Sequence, residues 1–263
     1  DQYETLKKIA RAFEQDHFTF YQQNVFQLEG AGDMSTTKIN PKDASKTQKE
    51  LLLRLSNDDD ILKPSEFLPT AQRYGLMRAL DRQVIRNLIE HVDTQTAQPH
   101  FSQEVAQLDG SPMYSLNLSQ DSVLDSTFIS FLSDKIEQSS LQPSLFCFEI
   151  ATSGAITHSE RTLQFITQIK DLGCQVTLDD FILNKTTQAF LSKASIDYIK
   201  LSVDVLQTID TKNNQVWKQL RALQQQSHVQ IIIKGIESPS TLQTIKQQGI
   251  RYVQGYQMSH PEV

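Results

Sequence analysis

Six short apolar runs in the second half of the chain restrict the folds open to it more than any other feature. They are Tyr114–Leu118, Leu145–Ile150, Gln175–Leu178, Tyr198–Leu201, Val229–Ile233 and Tyr252–Val253. Amphipathic stretches of helical length, such as Arg161–Leu172 and Val216–Gln226, lie between them. Strands alternating with helices predict βαβ units and a parallel sheet. Six such units in tandem, added to the earlier elements, fit a closed (β/α)8 TIM-type barrel better than an open sheet. The 263 residues suit one such barrel, whose usual size is about 250 residues.

The first half reads less regularly. Leu6, Ile9, Ala10 and Phe13 stand at helical spacing, and Asp16–His17 breaks the pattern. Phe18–Phe26 alternates and is rich in aromatic and β-branched residues, which predicts a strand. Gly30–Thr47 reads as a loop or exposed hairpin tip, and Gln48–Leu55 as a strand pairing with the first. Pro64–Val92 is helical with a break at Gly75, and His91–Pro112 is polar and irregular.

Composition narrows the function. With 38% hydrophobic and 21% charged residues, a packed core is expected. A net charge of −6 argues against a broad basic surface, and so against a nucleic acid polymer as partner. Cys147 and Cys174 make no disulfide framework, and no Cys/His cluster has zinc spacing. No apolar run approaches the roughly 20 residues that span a bilayer, so no membrane contact and a cytoplasmic location are expected. The chain starts at Asp1 and is read as one domain, 1–263, of a longer protein.

Each late strand ends at or beside a polar residue: Asn117, Glu149, Asp179 with Asp180, Lys200, Lys234 and Gln254. A barrel gathers the C-terminal ends of its strands on one face, so these residues are expected to converge. Asn117, Glu149 and Asp179 are 32 and 30 residues apart, about the length of a βαβ unit. Their oxygens, with those of Asp180, suit Mg²⁺, Mn²⁺ or Ca²⁺, and paired ions of this kind usually serve phosphoryl chemistry. The competing reading is that a strand-end Asp or Asn only caps the next helix. Lys200 alone reads equally as a solvated lysine, whereas Lys234, after three isoleucines, needs a partner.

These residues together resemble the EAL domain, a bacterial barrel that acts as phosphodiesterase or receptor for cyclic di-GMP. The resemblance rests on Glu50-Leu-Leu-Leu-Arg54, Pro64-Ser-Glu-Phe-Leu-Pro69, Tyr74-Gly75-Leu76, Asp81, Asn117-Leu-Ser119, Asp179-Asp-Phe181, Lys200, Gly235-Ile-Glu237 and Gln254-Gly-Tyr256, in that order. It implies a barrel with an early antiparallel strand. It also implies that Glu50, Asn117, Glu149 and Asp179 ligate a first Mg²⁺ or Mn²⁺ and Asp180 a second, with Lys200 beside the attacking water. Gln23, Leu52, Arg54, Asp81, Glu237, Gln254 and Tyr256 match positions that contact the nucleotide. Arginine suits a phosphodiester or guanine because its planar fork donates in pairs.

The departures fall on the chemistry. Thr152 stands where active members have a second glutamate, Ser202 where they have aspartate, and Lys234 where they have glutamate. Ile182-Leu-Asn184 replaces Gly-Thr-Gly, Asn24 a proline and Gln72 a glutamate. The leading expectation is a degenerate EAL domain that binds cyclic di-GMP without turnover or a required metal, and signals to a neighbouring domain or partner protein, with a dimer allowed. The alternatives are a residual metal-dependent phosphodiesterase and an interaction module that has lost the nucleotide.

Overall fold

The computed structural model describes residues 2–29, 45–57, 60–96, 113–139, 141–204, 206 and 215–262. Helix α1 (Gln2–Gln15) leads into β1 (Phe18–Gln27), which pairs antiparallel with β2 (Ser45–Asn57). A short β3 (Asp60–Leu62) folds back on the end of β2, and α2 (Pro64–Arg73) and α3 (Met77–Thr96) follow. The remaining strands are β4 (Met113–Leu118), β5 (Phe146–Ala151), β6 (Gln175–Asp179), β7 (Tyr198–Ser202), β8 (Gln230–Lys234) and β9 (Tyr252–Gln254).

The sheet runs β1-β9-β8-β7-β6-β5-β4-β2-β3, and the added β1–β2 pairing closes eight strands into a barrel. From β2 through β4 to β9 every pairing is parallel, and β1 alone among the eight runs the other way. The three central residues of β6, β7 and β8 are all buried, as expected where helices cover one face of a strand and the barrel fills the other. The sequence places all six late strands to within one or two residues. Of the predicted loop 30–47, residues 45–47 belong to β2, and 30–44 lie outside the described residues. The irregular stretch predicted from residue 91 begins later, because α3 continues to Thr96; residues 97–112 are likewise outside the described set.

Among the described residues two apolar clusters hold the fold. The larger joins the barrel strands to their covering helices, through residues such as Phe148, Phe165, Ile199 and Ile231. The smaller one (Ile9, Ala12, Leu55, Leu62, Phe67, Ala71, Leu80) fastens α1 and α2 to the end of β2. Among the described residues no helix is long and apolar enough to cross a membrane.

Candidate functional site

The C-terminal ends of the seven parallel strands form one mouth of the barrel, and a charged cluster is sunk into it. The Lys200 side chain, 1% exposed, puts its Nζ 2.8 Å from Glu50 Oε2 and 2.5 Å from Glu149 Oε1. A lysine this deep requires anionic partners, because an unpaired buried ammonium loses its hydration with nothing in return. The solvated-lysine reading is therefore overturned. Glu50 also accepts hydrogen bonds from Asn117 Nδ2 (2.9 Å) and Gln254 Nε2 (2.8 Å). Ser115, fully buried, donates to Glu149 Oε1 at 2.5 Å, while Glu149 Oε2 is buried without a hydrogen-bond partner.

One ammonium thus serves two carboxylates, and their surroundings separate them. Burial works against the charge on Glu50, but the Lys200 ammonium and the bonds from Lys200, Asn117 and Gln254 outweigh it, holding this acid down at about 2. Glu149 is pushed up to about 7, first by burial and then by the charges of Glu50 and Asp179, which Lys200 only partly offsets. Burial lowers Lys200 as well, yet the two carboxylates overcome it and hold the ammonium above its ordinary value.

A second lysine closes the rim. Lys234 Nζ lies 2.6 Å from Asp179 Oδ1 and 2.7 Å from Asp180 Oδ1. Burial lowers its affinity for a proton, but Asp179 and then Asp180 more than compensate, so its net shift is upward. Asp180 adopts a left-handed backbone (φ 49°), and its N–H donates to Asp179 Oδ1 at 2.8 Å. Ser202 faces Lys234 in the β7–β8 register, and Thr152 Oγ1 donates to the carbonyl of Asp179 at 2.6 Å.

Beside these lysines a cleft of about 320 Å³ is lined by Gln23, Glu50, Lys234, Gly235, Glu237, Gln254, Gly255 and Tyr256. Five of the seven residues matched to nucleotide contacts divide clearly: Gln23, Glu237, Gln254 and Tyr256 reach this cleft, and Asp81 does not. Asp81 instead accepts from the backbone N–H of Ser119 (3.0 Å) and from the hydroxyls of Ser119 and Ser122 (2.6 Å for the latter). Burial raises this carboxyl above its ordinary value. Leu52 and Arg54 lie further along β2; the guanidinium sits 4.7 Å from the centre of the Tyr21 ring and donates to the Leu53 carbonyl at 2.9 Å.

The helix caps are supplied by other residues. Ser119, Asn184 and Ser238 accept from the backbone N–H of the third residue of the helices at Gln120–Val123, Lys185–Leu191 and Pro239–Gln247. Asn117, Glu149 and Asp179 are thereby left to the barrel interior and its rim, against the capping reading. Sequence reasoning missed Ser115, which the two-residue strand period from Asn117 puts on the same face. It also missed His260, stacked on Tyr256 with ring centroids 4.5 Å apart, for which no sequence signal was present.

A family model for the EAL domain matches residues 6–261, nearly the whole described barrel. The chain belongs to the EAL domain family. It is 22% identical over its full length to the cyclic di-GMP phosphodiesterase PdeF of Escherichia coli and covers 32% of that protein. It is 24% identical over 97% of its length to the cyclic di-GMP phosphodiesterase PdeB of Shewanella oneidensis, covering 28% of it. The chain therefore spans about a third of the length of these relatives. The FimX EAL domain of Pseudomonas aeruginosa bound to c-di-GMP has the same fold, with a TM-score of 0.79 at 24% identity, over 98% of this chain and 96% of that one.

For an EAL domain the question is whether these residues fit the metal centre that the resemblance implies. Glu50, Asn117, Glu149, Asp179 and Asp180 all offer oxygen, and the unpartnered Glu149 Oε2 is a free donor. Against this, Lys234 joins Asp179 and Asp180, and Asn117 turns its amide N–H, not its oxygen, to Glu50. Among the described residues no three His, Cys, Asp or Glu side chains are gathered to hold a metal ion. As folded, the mouth does not fit a two-ion centre.

Proposed function

We propose that this EAL domain is a cytoplasmic receptor for cyclic di-GMP that binds the nucleotide without hydrolysing it and without requiring Mg²⁺ or Mn²⁺. One observation carries the reading: Lys234 lies on Asp179 and Asp180, in a cleft also lined by Gln23, Glu50, Glu237, Gln254 and Tyr256. Metal-assisted hydrolysis of a phosphodiester uses ions that stabilise both the attacking and the leaving oxygen, and ammonium groups engage the carboxylates such ions would need. The groups suited to recognition remain. Glu237, in the cleft lining, would accept from a guanine edge, by the donor and acceptor logic with which proteins read bases. Tyr256, 53% exposed, offers a ring face to a base, and Arg54 offers a fork to phosphate or guanine. Signal then passes to a neighbouring domain or protein partner.

Calorimetric titration with cyclic di-GMP, in EDTA and again in Mg²⁺, tests the binding. Saturable binding in both is expected, and Arg54→Ala should weaken it by about 1.5–3 kcal/mol, the range for a charged hydrogen bond. Incubation with Mn²⁺ followed by chromatography should show no accumulation of the linear dinucleotide. Multiple turnovers would favour the residual phosphodiesterase, a reading kept in view by the presence of Glu50, Asn117, Glu149 and Asp179 and by the activity named for PdeF and PdeB. A folded chain that binds nothing would favour the interaction module.

A further inference from the structure

We infer that the Lys234 ammonium is a tethered cation that stands between Asp179 and Asp180 in the place of a divalent ion. The mouth then rejects Mg²⁺ and Mn²⁺ and takes a phosphodiester directly on an ammonium. The inference deepens the receptor reading, on which only its nucleotide half rests.

Three observations converge on it. The Oδ1 atoms of both aspartates point at one nitrogen, 2.6 and 2.7 Å away, although Asp179 is largely buried and Asp180 is 74% exposed. An ordinary surface pair would not draw a solvated second aspartate onto the same atom, since exposed ion pairs gain little. The tether is also held from below. Lys234 ends β8 in register with Ser202 of β7 and Gln254 of β9, so its backbone is fixed within the sheet. Ser202, beside Lys234 in the register, and Thr152, whose hydroxyl is engaged with the Asp179 carbonyl, bring no negative charge.

A divalent ion approaching this pair must either sit against the ammonium, where like charges repel, or detach it from two carboxylates. Meanwhile Lys234 is the one cationic side chain among the described residues lining the cleft, and 26% of it is exposed there. It is therefore the group an incoming phosphate meets.

The test separates the two halves. Without nucleotide, Mn²⁺ is titrated into the unmutated chain and into K234Q and K234R, with free Mn²⁺ read by electron paramagnetic resonance. The unmutated chain and K234R should show no saturable site below about 1 mM, whereas K234Q should bind Mn²⁺ at least about tenfold more tightly. Circular dichroism melts confirm that each variant is folded. A saturable Mn²⁺ site in the unmutated chain that K234Q leaves unchanged overturns the inference. So does a folded K234Q that gains no Mn²⁺ affinity. In the second arm, cyclic di-GMP is titrated in EDTA. K234R should stay close to the unmutated chain and K234Q should lose about tenfold or more in affinity; full affinity in K234Q overturns the phosphate role. If the unmutated chain binds no nucleotide while the Mn²⁺ results hold, the receptor reading has failed and ion exclusion stands.

Discussion

Lys200→Met should cost about 3–5 kcal/mol of stability, the range for removing one partner from a buried ion pair. The variant leaves Glu50 and Glu149 facing each other with no ammonium between them, and Glu149 has only Ser115 left as a donor. Glu50 is less exposed to the loss, since Asn117 and Gln254 still donate to it. Urea denaturation at neutral pH measures the change. Adding Glu149→Gln in the Lys200→Met background should restore part of it, because one stranded charge is removed. A Lys200→Met chain as stable as the parent would show that the cluster contributes no net stability.

Gly255→Ala should be nearly as damaging, for a different reason. A Cβ built at Gly255 would lie 2.3 Å from both the nitrogen and the oxygen of Ile236 and 2.8 Å from its carbonyl carbon. The obstacle is backbone, which cannot rotate aside as a side chain can. The same two segments are tied by hydrogen bonds from Ile236 N to the Gln254 carbonyl (3.3 Å) and from Gln257 N to the Ile236 carbonyl (3.0 Å). An added methyl group must therefore push apart the two walls that bring Lys234, Glu237, Gln254 and Tyr256 to one cleft. A loss of about 3 kcal/mol is expected, at the upper end for overpacking. Gly249→Ala is the control. It meets nothing within 4 Å, and only its left-handed backbone (φ 83°) is strained, which costs about 1–2 kcal/mol. Denaturation midpoints for the two variants should differ in that order.

The parallel strands were readable because residues such as Ile231, Ile232 and Ile233 are buried on both sides, which leaves an unbroken apolar run. Their ends were readable for the same reason, since the first polar residue after such a run marks the mouth. What could not be read is who partners whom across that mouth. Lys234 and Asp179 stand on β8 and β6 with β7 between them, and sequence order gives the neighbours of a strand but not the reach of a long side chain over one. The location of Lys200 was hidden similarly. It stands two residues before the end of β7 and points inward beneath the rim, so its type suggested solvent while its strand position put it in the barrel. Asp81 shows the reverse limit. The family motif gave it a role, but three donors from Ser119 and Ser122 hold it among the elements that follow β4.

The reversal of β1 has a mechanical consequence. In a barrel made only of parallel strands, a chain arriving from outside starts its first strand at the floor, and the whole strand separates the arrival point from the mouth. Here Phe18 pairs with Leu55, Thr19 with Arg54 and Gln23 with Glu50, so β1 starts at the rim and descends. Helix α1 is therefore delivered to the end of β2 that carries Arg54, and the Ile9–Ala12–Leu55–Phe67 cluster clamps it there. A twist or pull on α1 is transmitted to Arg54 through one pair of hydrogen-bonded strands. Conversely, a ligand that drew Arg54 toward it would load α1 and α2, the helices fastened to that end of β2.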